Sequence, residues 1–173
     1  AMEKVEWDTI FFLVGLFILV GTLEHAGLFD RLGGVIFATV GRNLPMLCLA
    51  ILWVSGALSA LFGNIPIVMA FIPLVNALAA MYLDPAGGAP DPALVKSVSQ
   101  PLWWSLALGA CLGGNGTLFG AAANVVVAQI ARRNGAPFSF WTFLRFSLPV
   151  TAASLCISSL YIYVRYFVLS AAP

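Results

Sequence analysis

Two long uncharged stretches, each broken near its middle by a run of Gly and Asn, constrain this chain more than anything else in it. The first extends from Asn43 to Leu83 and breaks at Phe62-Gly63-Asn64-Ile65-Pro66. The second extends from Ser97 to Ala131 and breaks at Gly113-Gly114-Asn115-Gly116-Thr117. Uncharged apolar segments of this length read as membrane helices. A break inside hydrocarbon frees N–H and C=O groups that no water can satisfy, so it is tolerated only where it is buried in protein or lines a cavity. Paired broken helices are how many secondary transporters build a solute site near the bilayer midplane. The breaks therefore imply an all-α polytopic membrane protein that is a transporter or part of one.

Composition agrees. The chain is 61% hydrophobic and 9% charged, with a mean hydropathy of +0.99. Soluble domains carry about 25% charged residues. So little polar surface cannot clothe a globule in water, and the lipid bilayer is the solvent the chain expects. A net charge of +1 with no basic stripe gives no footprint for nucleic acid. Cys48, Cys111 and Cys156 lie far apart in apolar stretches and suggest neither a disulfide framework nor a metal site. The polar start, Ala1 to Glu6, lacks the basic region of a cleavable signal peptide. No Ser/His/Asp set, phosphate loop or metal-ligand cluster is present, which speaks against an enzyme and against a resident cofactor.

The spans follow from charge placement. Residues 9–23 form an uncharged first span. Residues 27–42 hold Asp30, Arg31 and Arg42 among apolar side chains, which suits an amphipathic helix along the interface. Residues 43–83 make two passes or one re-entrant hairpin. Gly63 can end its first arm with positive φ, Asn64 can cap the second, and Pro66 fits its first turn. Asp84 to Asp91 is a turn-rich loop. A broken span at 101–130 then opens on Trp103 and Trp104, resumes around Leu118 after its break, and closes at Arg132-Arg133. Residues 146–168 are the last span. Trp53, Ser55, Ala57, Leu58, Ala60 and Gly63 recur as Trp103, Ser105, Ala107, Leu108, Ala110 and Gly113, which reads equally as an internal echo or as coincidence.

The chemistry on offer is that of freed backbone and neutral side chains. Carbonyls near Leu61, Phe62 and Leu112 can bind a cation; N–H groups near Ile65, Leu118 and Phe119 can receive an anion or a polar neutral solute. The candidate solute or ion site is Gly63, Asn64, Ile65, Gly114, Asn115, Gly116, Thr117 and Asn124. Asn64 reads equally as a cap of its own helix. Glu24-His25 reads as a solvated pair before a proton relay. Arg132, Arg133 and Arg145 read as topology signals. Ser158 and Ser159 read as helix-packing residues.

Leu108-Gly109-Ala110-Cys111-Leu112-Gly113-Gly114-Asn115-Gly116-Thr117-Leu118-Phe119-Gly120, with Ala121 to Val126 after it, resembles the GACLGGNGTLIGASANVV segment of the ion transporter superfamily. Nearest in pattern are the P protein group and its arsenical-pump, sodium/proton-antiporter and citrate-transporter relatives. Ser59 to Pro66 resembles that family's SALxDNIP segment, and Phe138 to Thr151 the approach to its last span. The resemblance implies two inverted repeats, each with a re-entrant hairpin and a broken helix, usually in a homodimer. This chain resembles the second repeat, so the missing first repeat or another copy of the chain is the implied partner. Asn64 then sits at the hairpin tip, and Gly114 to Thr117 with Asn124 on the broken-helix side. Gly63 stands where the pattern has Asp, which removes a carboxylate that could couple transport to Na+ or H+. The expected protein is a secondary transporter, or half of one, moving an inorganic ion or small anion by alternating access in a bacterial or archaeal inner membrane. A passive ion channel, or a non-transporting membrane subunit, is the alternative. Short-loop charge favours the Arg132–Arg145 side as cytoplasmic.

Overall fold

The computed structural model describes residues 7–83 and 91–169. They form α1 (Trp7–His25), α2 (Leu28–Val40), α3 (Leu44–Phe62), α4 (Asn64–Leu83), α5 (Pro92–Gly113), α6 (Ala122–Arg133) and α7 (Phe140–Tyr163). A 3₁₀ turn at Gly114–Gly116 follows α5, and a π-helical extension at Val164–Val168 continues α7. No strand occurs among the described residues. The turn-rich loop read at 84–91 lies outside them except for Asp91.

Both expected breaks are present, and caps rather than hydropathy fix the helix ends. Asn43 accepts a bond from the Met46 N–H at 3.2 Å and opens α3, with Pro45 in its first turn. Gly63 ends α3 at φ 87°, a conformation that needs glycine. α5 begins at Pro92, not near residue 101, because Asp91 caps it by accepting from the Ala93 N–H at 3.0 Å. Pro101 lies within α5 without ending it. α7 likewise starts at Phe140, six residues before the expected 146, because Ser139 accepts from the Thr142 N–H at 3.1 Å. The chain resumes helix after the second break at Ala122, not around Leu118; residues 117–121 are non-helical.

α3, α4 and the helix from Phe140 to Val168 are each long and apolar enough to cross a membrane, by length and composition. Their outer faces carry large exposed apolar side chains, among them Leu61, Trp141, Phe146 and Ile157. A face of that kind suits lipid or a partner helix. The core gathers Leu47, Leu52, Val75, Leu78, Leu102, Leu106 and Ile162.

Small residues set the helix directions. A Cβ on Gly109 would lie 3.0 Å from Leu52 Cα, and one on Gly113 would lie 2.5 Å from Gly56 Cα. Contact thus advances along both helices together, so α3 and α5 run parallel, backbone against backbone. α7 runs the opposite way: Leu155 covers Gly56, and Trp53 Nε1 donates to Ser159 Oγ at 3.1 Å. α4 returns beside α3, where Arg42 Nη2 donates to the Tyr82 carbonyl at 2.6 Å and stacks 5.4 Å from the Tyr82 ring centre. α2 packs its Gly33 face on Ala77 and Met81 of α4. Because α3 and α5 are parallel and packed from the same register, their broken ends emerge side by side.

Candidate functional site

A helix ends with carbonyls that lack an intrahelical donor; here hydroxyls cross between the two neighbouring ends, to Ala60 and to Ala110, which also keeps the Gly114 N–H as donor. Ser59 in the last turn of α3 donates to the Ala110 carbonyl of α5 at 2.6 Å. Thr117, just past α5, donates through Oγ1 to the Ala60 carbonyl of α3. Each hydroxyl reaches across to the other helix, so the two breaks form one unit. Thr117 Oγ1 also accepts from the Gly120 N–H at 3.1 Å. Asn124, one turn into α6, donates through Nδ2 to the carbonyls of Gly114 at 3.2 Å and Thr117 at 2.9 Å. From the opposite side, Ser147 of α7 donates to the Gly116 carbonyl at 2.8 Å.

Glycine is required where the segments of this knot touch. A Cβ on Gly114 would lie 2.9 Å from the Gly120 carbonyl oxygen and 3.0 Å from Asn64 Cγ. A Cβ on Gly120 would lie 3.1 Å from the Ala60 carbonyl oxygen. Neither site has room for any other residue without moving backbone.

Asn64 does not cap α4 as expected. It is the first residue of that helix, and its amide turns back on Ser59 Oγ, 2.7 Å from Oδ1. Ser59 has one proton and two oxygens within reach, and the Ala110 carbonyl can only accept. The group is fully satisfied when the Asn64 amide is turned by half a rotation, so that Nδ2 donates to Ser59 Oγ.

Of the eight expected site residues, Gly63, Asn64, Gly114, Gly116, Thr117 and Asn124 are joined in this knot. Ile65 is an exposed apolar side chain at its edge. Asn115 is exposed, its side-chain amide makes no hydrogen bond among the described residues, and it lines an open cavity of about 610 Å³ together with Asn124, Phe143, Ser147 and Thr151. Sequence reading did not assign Ser59, Ser147 or Thr151 a role. Ser59 is one turn before Gly63, which is the signal that could have found it. The hydroxyls of α7 have no comparable mark. Ser159 bonds its own helix at the Leu155 carbonyl, 2.8 Å away, and receives Trp53. Glu24 and His25 are exposed and remote from the knot.

The balance of donors and acceptors has a chemical consequence. The Ala60, Ala110, Gly114, Gly116 and Thr117 carbonyls all receive a side-chain donor. The Leu118 and Phe119 N–H groups meet no acceptor among the described residues, and α6 opens at Ala121 without a side-chain cap. The knot thus offers unpaired backbone donors to a hydrogen-bond acceptor, beside the Asn115 side-chain amide, which can both donate and accept.

The described residues, helical and apolar with a polar knot joining two helix breaks, suit a membrane protein. Comparison with known proteins makes the class definite: the family described as Citrate transporter matches residues 1–109, and the chain belongs to it. Over 168 residues it is 45% identical to an uncharacterized transporter of Mycobacterium bovis, covering 97% of this chain and 37% of that protein. It is 34% identical to an uncharacterized transporter of Synechocystis, covering 93% of this chain and 36% of that protein. It is 37% identical to the human P protein, covering 96% of this chain and 19% of that protein. The chain therefore spans little more than a third of the bacterial relatives' length. No solved structure matches. Membership in a transporter family agrees with the expectation that the chain is not an enzyme.

Proposed function

We propose that this chain is the second repeat of a secondary transporter that moves a small anion, or a polar solute rich in acceptor oxygens, through the knot formed by Asn64, Gly114–Thr117 and Asn124. The observation that carries the reading is the reciprocal capping of the two breaks, Ser59 to Ala110 and Thr117 to Ala60. It satisfies the freed Ala60 carbonyl within the protein, adds a second donor to Ala110, which also accepts from the Gly114 N–H, and leaves amide donors for a solute. The α3–α4 pair is the re-entrant hairpin of the inverted-repeat fold in this reading, with Gly63 at its tip. Gly63 supplies no carboxylate there, so Na+ or H+ coupling falls to the other repeat.

The same reading calls for a partner. α6 buries no residue, and the exposed faces of α6 and α7 flank the cavity that Asn115 lines. The first repeat, or another copy of the chain, covers them, and two such assemblies make the homodimer. Residence in a prokaryotic inner membrane fits the bacterial relatives.

Uptake into proteoliposomes tests this. Radiolabelled citrate and a panel of inorganic anions are offered with and without imposed Na+ and proton gradients. Saturable uptake, with exchange of internal for external solute, is expected. Non-saturable flux that only follows the solute's own gradient would assign a channel instead; no flux for any solute would assign a non-transporting subunit.

A further inference from the structure

One buried side-chain oxygen among the described residues has no hydrogen-bond partner: Thr151 Oγ1, on a residue only 7% exposed. Buried hydroxyls are ordinarily paired, and an orphan calls for a reason. Thr151 lies one turn beyond Ser147 on the same face of α7. Both face Gly116. Ser147 holds the Gly116 carbonyl, and a Cβ on Gly116 would lie 3.6 Å from Thr151 Cγ2 and 3.8 Å from Thr151 Oγ1. Two hydroxyls of one helix therefore bracket a single peptide, and one of them is in use.

Two further features bear on movement here. Pro149 sits between the two hydroxyls inside α7. It has no N–H, so the Arg145 carbonyl lacks its helical donor and α7 bends more easily at this point. The cavity of about 610 Å³ lies on this side of the knot, with Asn115, Ser147 and Thr151 in its lining.

Taking the knot as the solute site proposed above, we infer that Ser147 and Thr151 form a two-position latch on it. Ser147 holds the Gly116 carbonyl in the arrangement seen here. Thr151 is a positioning residue that receives the same carbonyl when the knot slides along α7 by less than one helical turn, on the order of 5 Å. Between the two α7 hydroxyls the move keeps one bond and one orphan; only the identity of the orphan hydroxyl changes. One carbonyl held by either of two hydroxyls supplies the discrete arrangements that a reversible switch needs. The lack of a side chain at Gly116 suits the slide, since a Cβ there would already lie 3.2 Å from Ala60 Cβ.

Spin-label distances on the full-length transporter in proteoliposomes test the latch without relying on flux. The labels go on Ala122→Cys, at the start of α6, and Ala153→Cys on α7, both exposed, after Cys111→Ala and Cys156→Ala. Two distance populations are expected. Thr151→Val should deplete the second about tenfold, the effect of losing one buried hydrogen bond in that arrangement. Ser147→Ala should enrich it, and Thr151→Ser should restore it. Solute uptake is measured on the same vesicles. A single population, or two that ignore Thr151→Val, overturns the latch, and if uptake persists the transport reading stands alone. Populations that respond as expected in vesicles showing no uptake of any solute leave the latch standing and remove the transport reading.

Discussion

Replacing Gly113 with Ala should separate α3 from α5 and open the knot. A Cβ at Gly113 would lie 2.5 Å from Gly56 Cα and 2.6 Å from Gly56 C, with the Gly56 carbonyl oxygen nearer still. Carbon atoms in ordinary contact sit about 3.5–4.0 Å apart, so the helices must part by about 1 Å. The obstacle is backbone on both sides, so no rotamer change relieves it. Overpacking of this kind costs about 1–3 kcal/mol. The shift also lengthens the Ser59–Ala110 and Thr117–Ala60 bonds, which hold the same two helices. Each weakened bond adds about 1 kcal/mol, for a loss of about 3–5 kcal/mol in all. Gly34→Ala is the control. A Cβ there meets nothing within 4 Å, and exchanging Gly for Ala inside a helix stabilises by about 1 kcal/mol. Thermal unfolding of both variants in the same detergent, followed by tryptophan fluorescence, compares them. Gly113→Ala should melt well below the parent and Gly34→Ala at or above it. Equal melting of the two would refute the close parallel packing of α3 and α5.

Thr117→Val removes the donor to Ala60 and the acceptor for the Gly120 N–H; it should cost about 1–3 kcal/mol in thermal unfolding and abolish solute exchange, whereas Thr117→Ser should retain both. Asn124→Leu leaves the Gly114 and Thr117 carbonyls without their donor and should destabilise by a similar amount, about 1–3 kcal/mol. Asn115→Ala should change stability by no more than about 0.5 kcal/mol, because the Asn115 side chain is exposed and unbonded among the described residues. Cysteines placed at Ala89 and Gly135 should react with an impermeant reagent from opposite faces of the membrane, and reaction of both from one face would deny a net crossing between them.

The breaks were legible because they are chemical exceptions. Gly63 and the Gly113–Thr117 run interrupt uncharged stretches, and no regular helix explains them. The positive φ at Gly63 follows from the same reasoning. Helix starts were less legible, since hydropathy marks where apolar side chains begin and not where the backbone turns. Asp91-Pro92 and Ser139 carried the missing signal as caps, and the charge of Lys96 and Arg145 drew attention past them. What joins the breaks was not legible at all. Ser59 meets Ala110 across 51 positions, Thr117 meets Ala60 across 57, and Ser147 meets Gly116 across 31. A hydroxyl bonded to a distant carbonyl leaves no period and no spacing in the chain. Asn64 was misread for the same reason: an Asn beside a helix start looks like its cap, and only the neighbouring helix reveals that its amide belongs to Ser59.

Transport by Asn115→Ala, set beside Arg133→Ala, tests the central claim most directly. Asn115 faces the cavity beside the knot with its amide unbonded, while Arg133 is exposed at the far end of α6. Both variants should fold as the parent does, so initial uptake rates at matched protein in proteoliposomes report on the site alone. Losing one hydrogen bond to the solute should slow Asn115→Ala about tenfold or more, with Arg133→Ala close to the parent rate. Normal uptake by Asn115→Ala together with an inactive Arg133→Ala would contradict a solute site at the knot and move it to the basic end of α6.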